Sequence, residues 1–197
     1  FNKKNMNNIF FQKKNLRKVL TQKREKIKKN CLIEFNIDYF YKLKSYINFN
    51  EIQNVASFHS IRSEISTSQL NISIIQQKKT LSFPVIKNNS KELFFKKVNM
   101  KESFQIGKFK IPEPKSDNEE IQPQLLFVPC LGFDLNGYRI GYGGGFYDRT
   151  FAKFKKLDLK FYTVGFAFDD QKETIIPREK YDYKLDFVLT EKQLYAF

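Results

Sequence analysis

The chain has 197 residues, 41% of them apolar, and a formal net charge of +14. That length suits one domain with a sizeable core, and that apolar share excludes wholesale disorder. The longest apolar run, residues 125–133, contains a Pro and a Gly and falls well short of the ~18 residues that cross a bilayer as a helix.

Eight basic residues fall within the first 24 positions, and no acid precedes Glu25. A basic arm of this kind serves nucleic acid, an acidic lipid surface or an anionic ligand, remains from an organelle-targeting segment, or is a plain solvated tail. We read residues 1–12 as this arm and 13–197 as one α/β domain. The chain starts at Phe1 and not at Met, which fits processing or an incomplete start. With the arm, this gives the expectation of a mitochondrial matrix protein, with a cytoplasmic location as the alternative. No zinc-ligand spacing, RNP pattern or basic zipper accompanies the arm, which argues against a nucleic-acid partner. Cys31 and Cys130 lie far apart in sequence and form no metal motif and no disulfide framework, as suits a reducing compartment.

Leu16, Val19, Leu20 and Ile27 follow helical spacing and predict a helix over 13–29. At about 100° per residue, Lys13, Arg17 and Arg24 then fall within about 40° of one another, a basic ridge beside the apolar stripe. A second helix is expected over 33–48. Residues 53–59 suit a short buried strand, and 67–77 a helix capped by Thr67 or Ser68. Residues 79–86 read as a strand ending near Pro84. The stretch 109–124, with three prolines and an acidic cluster, is loop-like. Strands follow over 124–129, 161–168 and 184–190. Continuous apolar strands separated by helices imply a sheet covered on both faces, hence a single three-layer α/β/α sandwich.

In the stretch PCLGFDLNGYRIGYGGGFYDR, residues 129–149, five of the chain's eight glycines fall between Gly137 and Gly145. Glycine accepts positive φ and lets backbone N–H groups approach an anion closely. Between a strand and a helix starting near Phe146, such a loop builds a nest for phosphate. Arg139 adds a fork of donors, and Asp148 a carboxylate that can hold magnesium beside that phosphate. The alternative is a tight turn without a ligand. The pattern fits neither GxxxxGK[ST] nor GxGxxG.

These residues resemble the signature of the 5-formyltetrahydrofolate cyclo-ligase family. Other landmarks stand in family order. KKNLR, residues 13–17, resembles the helix motif whose Lys13 and Arg17 would bind ATP phosphates. EIST, residues 64–67, resembles the segment whose Glu64 would hold the folate. IPEP, residues 111–114, is similar to the family loop before the long apolar strand. YDYKLD, residues 181–186, resembles the motif whose Asp182 would assist Asp148 with magnesium. Cys130 stands where the family usually has a small residue, often glycine.

The resemblance implies an α/β/α sandwich around a mostly parallel sheet, similar to the ribose-5-phosphate isomerase/CoA-transferase group. It implies ATP-dependent closure of 5-formyltetrahydrofolate to 5,10-methenyltetrahydrofolate, with ATP and magnesium at the site. The formyl oxygen attacks the γ-phosphate, N10 closes the ring, and phosphate leaves. Lys13, Arg17, Arg139, Gly141, Gly143, Gly144, Gly145 and Tyr147 are the ATP-binding candidates, and Arg139, Tyr147 and Asp148 the catalytic ones. Glu64, His59, Tyr142 and Phe146 are the folate-binding candidates, with core packing the alternative for the rings and for His59. A second function reading is an accessory subunit of a larger mitochondrial assembly.

Overall fold

The computed structural model describes residues 3–30, 37–99 and 104–197. In chain order the elements are α1 (Lys3–Asn30), α2 (Ile37–Lys42), β1 (Asn54–Ala56), α3 (Ser68–Gln76), β2 (Thr80–Val85), β3 (Phe94–Lys97), β4 (Gln105–Ile106) and β5 (Pro112–Glu113). There follow β6 (Leu125–Pro129), β7 (Gly132–Asp134), β8 (Arg139–Ile140), α4 (Phe146–Lys156), β9 (Tyr162–Phe166), β10 (Lys172–Glu173), β11 (Phe187–Leu189) and β12 (Leu194–Ala196).

Seven strands form one sheet in the order β12-β11-β9-β6-β1-β2-β3. The pairings from β11 through β9, β6 and β1 to β2 are parallel, and the edge strands β12 and β3 are antiparallel. Alternation along β6 sorts the two faces. Leu125 and Phe127 pack with Phe40, Leu70 and Ile74 of α2 and α3, whereas Leu126 and Val128 pack with Phe151 and Phe154 of α4. Every one of these side chains is buried, so the sheet is covered on both sides and the three-layer sandwich is present.

α1 lies at the end of the sheet, with its Ile27 touching the core shared by α2 and α3. Its Leu16 and Leu20 pack with Leu131, Ile140 and Ile176, beyond the carboxyl end of β6. It begins by Lys3, so residues 3–12 of the stretch read as an arm are the first part of a 28-residue helix. No Gly or Pro interrupts those residues, and a formed helix propagates cheaply along such a sequence. Residues 33–36 of the second expected helix, and Cys31, lie outside the described residues. From residue 37 the helix lasts six residues and tightens into a 3₁₀ turn over Leu43–Ser45.

Pro84, expected to end its strand, lies inside β2. Pairing with β1 ends at Ser82, and only β3 continues to Val85. At Pro84, one side of the strand therefore has no ladder to donate to. Thr67 precedes α3 as expected, but its hydroxyl bonds the Phe58 carbonyl at 3.0 Å and does not cap the helix.

Candidate active site

Ligands of open α/β sheets gather at the carboxyl ends of the strands. Here that edge is roofed by α1 and by the small sheet β10-β7-β8. The buried Asp134 carboxylate builds the β7–β8 turn by accepting the backbone N–H groups of Asn136, Tyr138 and Ile176, each at 3.0 Å. The turn sends the chain through Arg139 into the glycine loop and then into α4.

The loop's backbone divides its glycines by role. Gly143 (φ 97°) and Gly145 (φ 65°) are left-handed, a region costly for residues with a Cβ. A Cβ on Gly143 would also lie 3.2 Å from the Arg17 guanidinium. Gly144 is not left-handed; its constraint is the Phe146 ring, 2.8 Å from where a Cβ would stand. A Cβ on Gly141 would meet nothing within 4 Å. Gly143→Val is therefore expected to weaken binding of an ATP analogue about tenfold or more, through strain of about 1–2 kcal/mol and displacement of Arg17. Titration calorimetry beside circular dichroism checks this. Wild-type affinity in a folded variant would mean the loop is only a turn.

The ridge read from the sequence faces this loop. Arg17 Nε donates to the Gly141 carbonyl at 2.8 Å. Lys13, buried, bonds the carboxylates of Glu179 and Asp182. Asp182 Oδ2 also accepts the Glu179 N–H at 2.7 Å. Arg139 Nη1 donates to Asp148 Oδ1 at 3.0 Å, and the Tyr183 N–H reaches that same oxygen at 3.2 Å. Burial alone would raise the Asp148 carboxyl, but the charge and hydrogen bond of Arg139 and the Tyr183 N–H hold it below the usual carboxylate range. Arg139 Nε is buried and has no hydrogen-bond partner among the described residues. Such a donor is costly to leave unpaired, and here it belongs to a residue at the mouth of the loop.

Asp148 is thus bonded to the backbone of the residue that follows Asp182, which brings the two acids to one place. Among the described residues no group of three or more metal-ligating side chains occurs.

Glu64 and Tyr142 meet beside this cluster. The Glu64 carboxylate accepts the Ile61 N–H at 2.9 Å and lies 3.7 Å from Arg24. Burial raises its carboxyl, opposed by the Ile61 N–H, by Arg24 and by the Tyr142 phenol. Tyr142 is 42% exposed, and its ring centroid lies 5.6 Å from the guanidinium carbons of both Arg24 and Arg62.

The other predicted residues stand apart from these bonds. His59 is exposed and packs edgewise on Phe83 and beside Phe104, with ring centroids 6.5 and 6.0 Å away. Phe146 meets Phe109 edgewise at 6.2 Å. The Tyr147 ring contacts Phe151 at 5.9 Å, under Arg139 at 5.8 Å, and burial pushes its phenol above the usual range. Cys130 is buried, and burial pushes its thiol up to about 12. A thiol so placed is an inert core group, as a small residue there should be.

Sequence reasoning missed Arg24, Glu179 and Asp134. Arg24 shared the ridge with Lys13 and Arg17, and that arc was the signal available for it. Nothing in the sequence marks the Tyr183 N–H, because its role is a backbone one.

A family model described as the 5-formyltetrahydrofolate cyclo-ligase family matches residues 10–191. The chain belongs to the 5-formyltetrahydrofolate cyclo-ligase family. A relative named 5-formyltetrahydrofolate cyclo-ligase from Haemophilus influenzae is 33% identical over 148 residues, covering 73% of this chain and 78% of the relative. The Escherichia coli protein of that name is 32% identical, covering 73% and 80%. Among solved structures, the 5,10-methenyltetrahydrofolate synthetase of Aquifex aeolicus aligns with a TM-score of 0.69 at 28% identity, over 93% of this chain and 92% of that one. The synthetase of Mycoplasma pneumoniae, at 18% identity and a TM-score of 0.63 over 91% and 98%, shares the fold. The accessory-subunit alternative finds no support among these cyclo-ligase relatives. No helix among the described residues is long and apolar enough to cross a membrane.

Proposed function

We propose that the protein closes 5-formyltetrahydrofolate to 5,10-methenyltetrahydrofolate with ATP, releasing ADP and phosphate. One observation carries this reading. Lys13, Arg17 and Arg139, two left-handed glycines and two neighbouring carboxylates meet at one edge of the sheet, beside Glu64 and Tyr142. The family and its named relatives supply the substrates.

The formyl oxygen on N5 attacks the γ-phosphorus, the bond to the β–γ bridging oxygen breaks, and ADP leaves. The formyl carbon is then an iminium phosphate. N10 adds to that carbon and loses its proton. The C–O bond breaks, with its electron pair leaving on phosphate. Phosphoryl transfer of this kind needs positioning and charge neutralisation more than covalent help. Arg17 offers donors to phosphate oxygens, the loop amides offer more, and Arg139 adds a positive charge beside Asp148. Lys13 adds a charge that Glu179 and Asp182 hold in place. The Glu64 carboxylate suits the N–H donors of a pterin, and the half-exposed Tyr142 ring suits its face.

Magnesium is part of the proposal. Asp148 Oδ2 and Asp182 Oδ1 have no protein partner among the described residues, and hard carboxylate oxygens of this kind fit the ion. The donor set is small, as suits an ion that completes its shell with phosphate oxygens and water. Asp148 and Asp182 are the residues that would hold it, and it would neutralise charge on the transferring phosphate.

Incubation of the chain with 5-formyltetrahydrofolate and ATP should give the absorbance of the methenyl product with equimolar ADP. No product in the folded protein, or product without ATP, would contradict the proposal. Arg17→Ala should raise the KM for ATP about tenfold or more, the loss of one charged hydrogen bond, and the KM for the folate much less. Unchanged ATP dependence would mean that the ridge serves something else.

A further inference from the structure

Arg24 is a charged side chain with no solvent-exposed surface. Its Nε donates to Ser63 Oγ at 3.1 Å, its Nη1 donates to the Cys130 carbonyl at 3.2 Å, and its Nη2 bonds the Tyr142 phenol. The Glu64 carboxylate lies 3.7 Å from Nη1. These partners come from three separate segments: the loop after β1, the end of β6 and the glycine loop. One planar fork of donors serves all of them, which an ammonium could not do.

A buried ion pair contributes little net stability compared with a well-packed apolar pair of similar volume. Docking of α1 alone would be served by apolar residues such as Leu16 and Leu20, which already pack there. The bonds of Arg24 therefore point to alignment. Seven residues before it, about 10 Å along the same helix face, Arg17 grips the Gly141 carbonyl. One rigid helix thus holds the glycine loop at two points, Gly141 and Tyr142, and holds Glu64 through the second.

We propose that Arg24 is a positioning residue that couples the nucleotide loop to the folate-binding carboxylate, so that ATP bound at the loop tightens the folate site. The inference rests on the function proposed above. It does not require Arg24 to touch either substrate. Ordering of the loop by nucleotide fixes Tyr142, Tyr142 fixes the guanidinium, and the guanidinium fixes Glu64.

The test is titration calorimetry of 5-formyltetrahydrofolate with and without a non-hydrolysable ATP analogue, on the wild type, Arg24→Lys and Tyr142→Phe. In the wild type the analogue should tighten folate binding about fivefold or more, within the ordinary range of coupling between sites. In both variants that ratio should fall to about one. A residue that only docks α1 would lower the melting temperature and leave the ratio intact. If Arg24→Lys does not fold, Tyr142→Phe decides, because it removes a single hydroxyl from a half-exposed ring. A wild-type ratio retained in Tyr142→Phe, or a ratio of one in the wild type, overturns the coupling. Wild-type turnover of the folate with ATP is measured alongside. Its absence sinks the proposed function and this inference with it, whereas normal turnover with an unchanged ratio in the variants sinks the inference alone.

Discussion

Asp148→Asn is expected to lower turnover by about a hundredfold or more, the usual scale for removing one group that stabilises charge in a transition state. The substitution keeps the size of the side chain and one oxygen that can still accept the Tyr183 N–H. It removes the charge proposed to face the metal and the transferring phosphate. It also removes the counter-charge of Arg139, whose side chain is only 6% exposed. A nearly buried guanidinium left without its carboxylate costs on the order of 3–5 kcal/mol, so the melting temperature should fall as well. Asp182→Asn separates the two effects. Its partner Lys13 keeps the Glu179 carboxylate at 2.8 Å, so this variant should lose turnover with a much smaller loss of stability. For both, part of the lost turnover should return at high magnesium. Turnover and thermal melts across a magnesium series read these outcomes. Wild-type turnover in either folded variant, independent of magnesium, would remove that acid from the metal assignment.

An equally large effect on stability is expected at the centre of the sheet. Phe127 is fully buried on β6, between Phe40 of α2 at 6.0 Å and Phe166 of β9 at 6.3 Å. Phe127→Ala should cost about 3–5 kcal/mol, from lost transfer energy and from the cavity left between rings held by two elements. That is a large part of a domain's total stability of about 5–15 kcal/mol. Denaturant titration should show an earlier midpoint with little change in slope. A loss under about 1 kcal/mol would mean that the helix layer collapses onto the sheet more readily than its packing implies.

The parts of the fold legible in the sequence are those whose signal is local. Leu125, Leu126, Phe127 and Val128 form an unbroken apolar run, and only a strand buried on both faces needs one. The ridge of Lys13, Arg17 and Arg24 was readable from helical spacing alone. Elements made by distant partners were not readable. β7, β8 and β10 hold two or three residues each, and they exist because Asp134 gathers three amides and because Lys172 and Glu173 pair with Phe133 and Asp134. β3 was hidden by its lysines. Lys96 is buried there because its ammonium bonds the Ser116 and Asn118 carbonyls across the chain. At the site, residue types could be read but bonds could not. Asp148 and Asp182 could be proposed as a pair. That Arg139 and Lys13 already neutralise them is a tertiary fact. The glycine cluster was plain, whereas which glycines are left-handed is set by how the loop enters α4.

The fate of the formyl oxygen tests the central claim most directly. The substrate carries a heavy-oxygen label in the formyl group, and the released phosphate is analysed by mass after turnover with unlabelled ATP in unlabelled water. If the formyl oxygen attacks the γ-phosphorus and leaves on phosphate as the ring closes, each phosphate should carry the label, in step with the methenyl product. Unlabelled phosphate, with the heavy oxygen appearing in water, would contradict the account, because closure would then proceed without the phosphoryl transfer that these cations and carboxylates are proposed to serve.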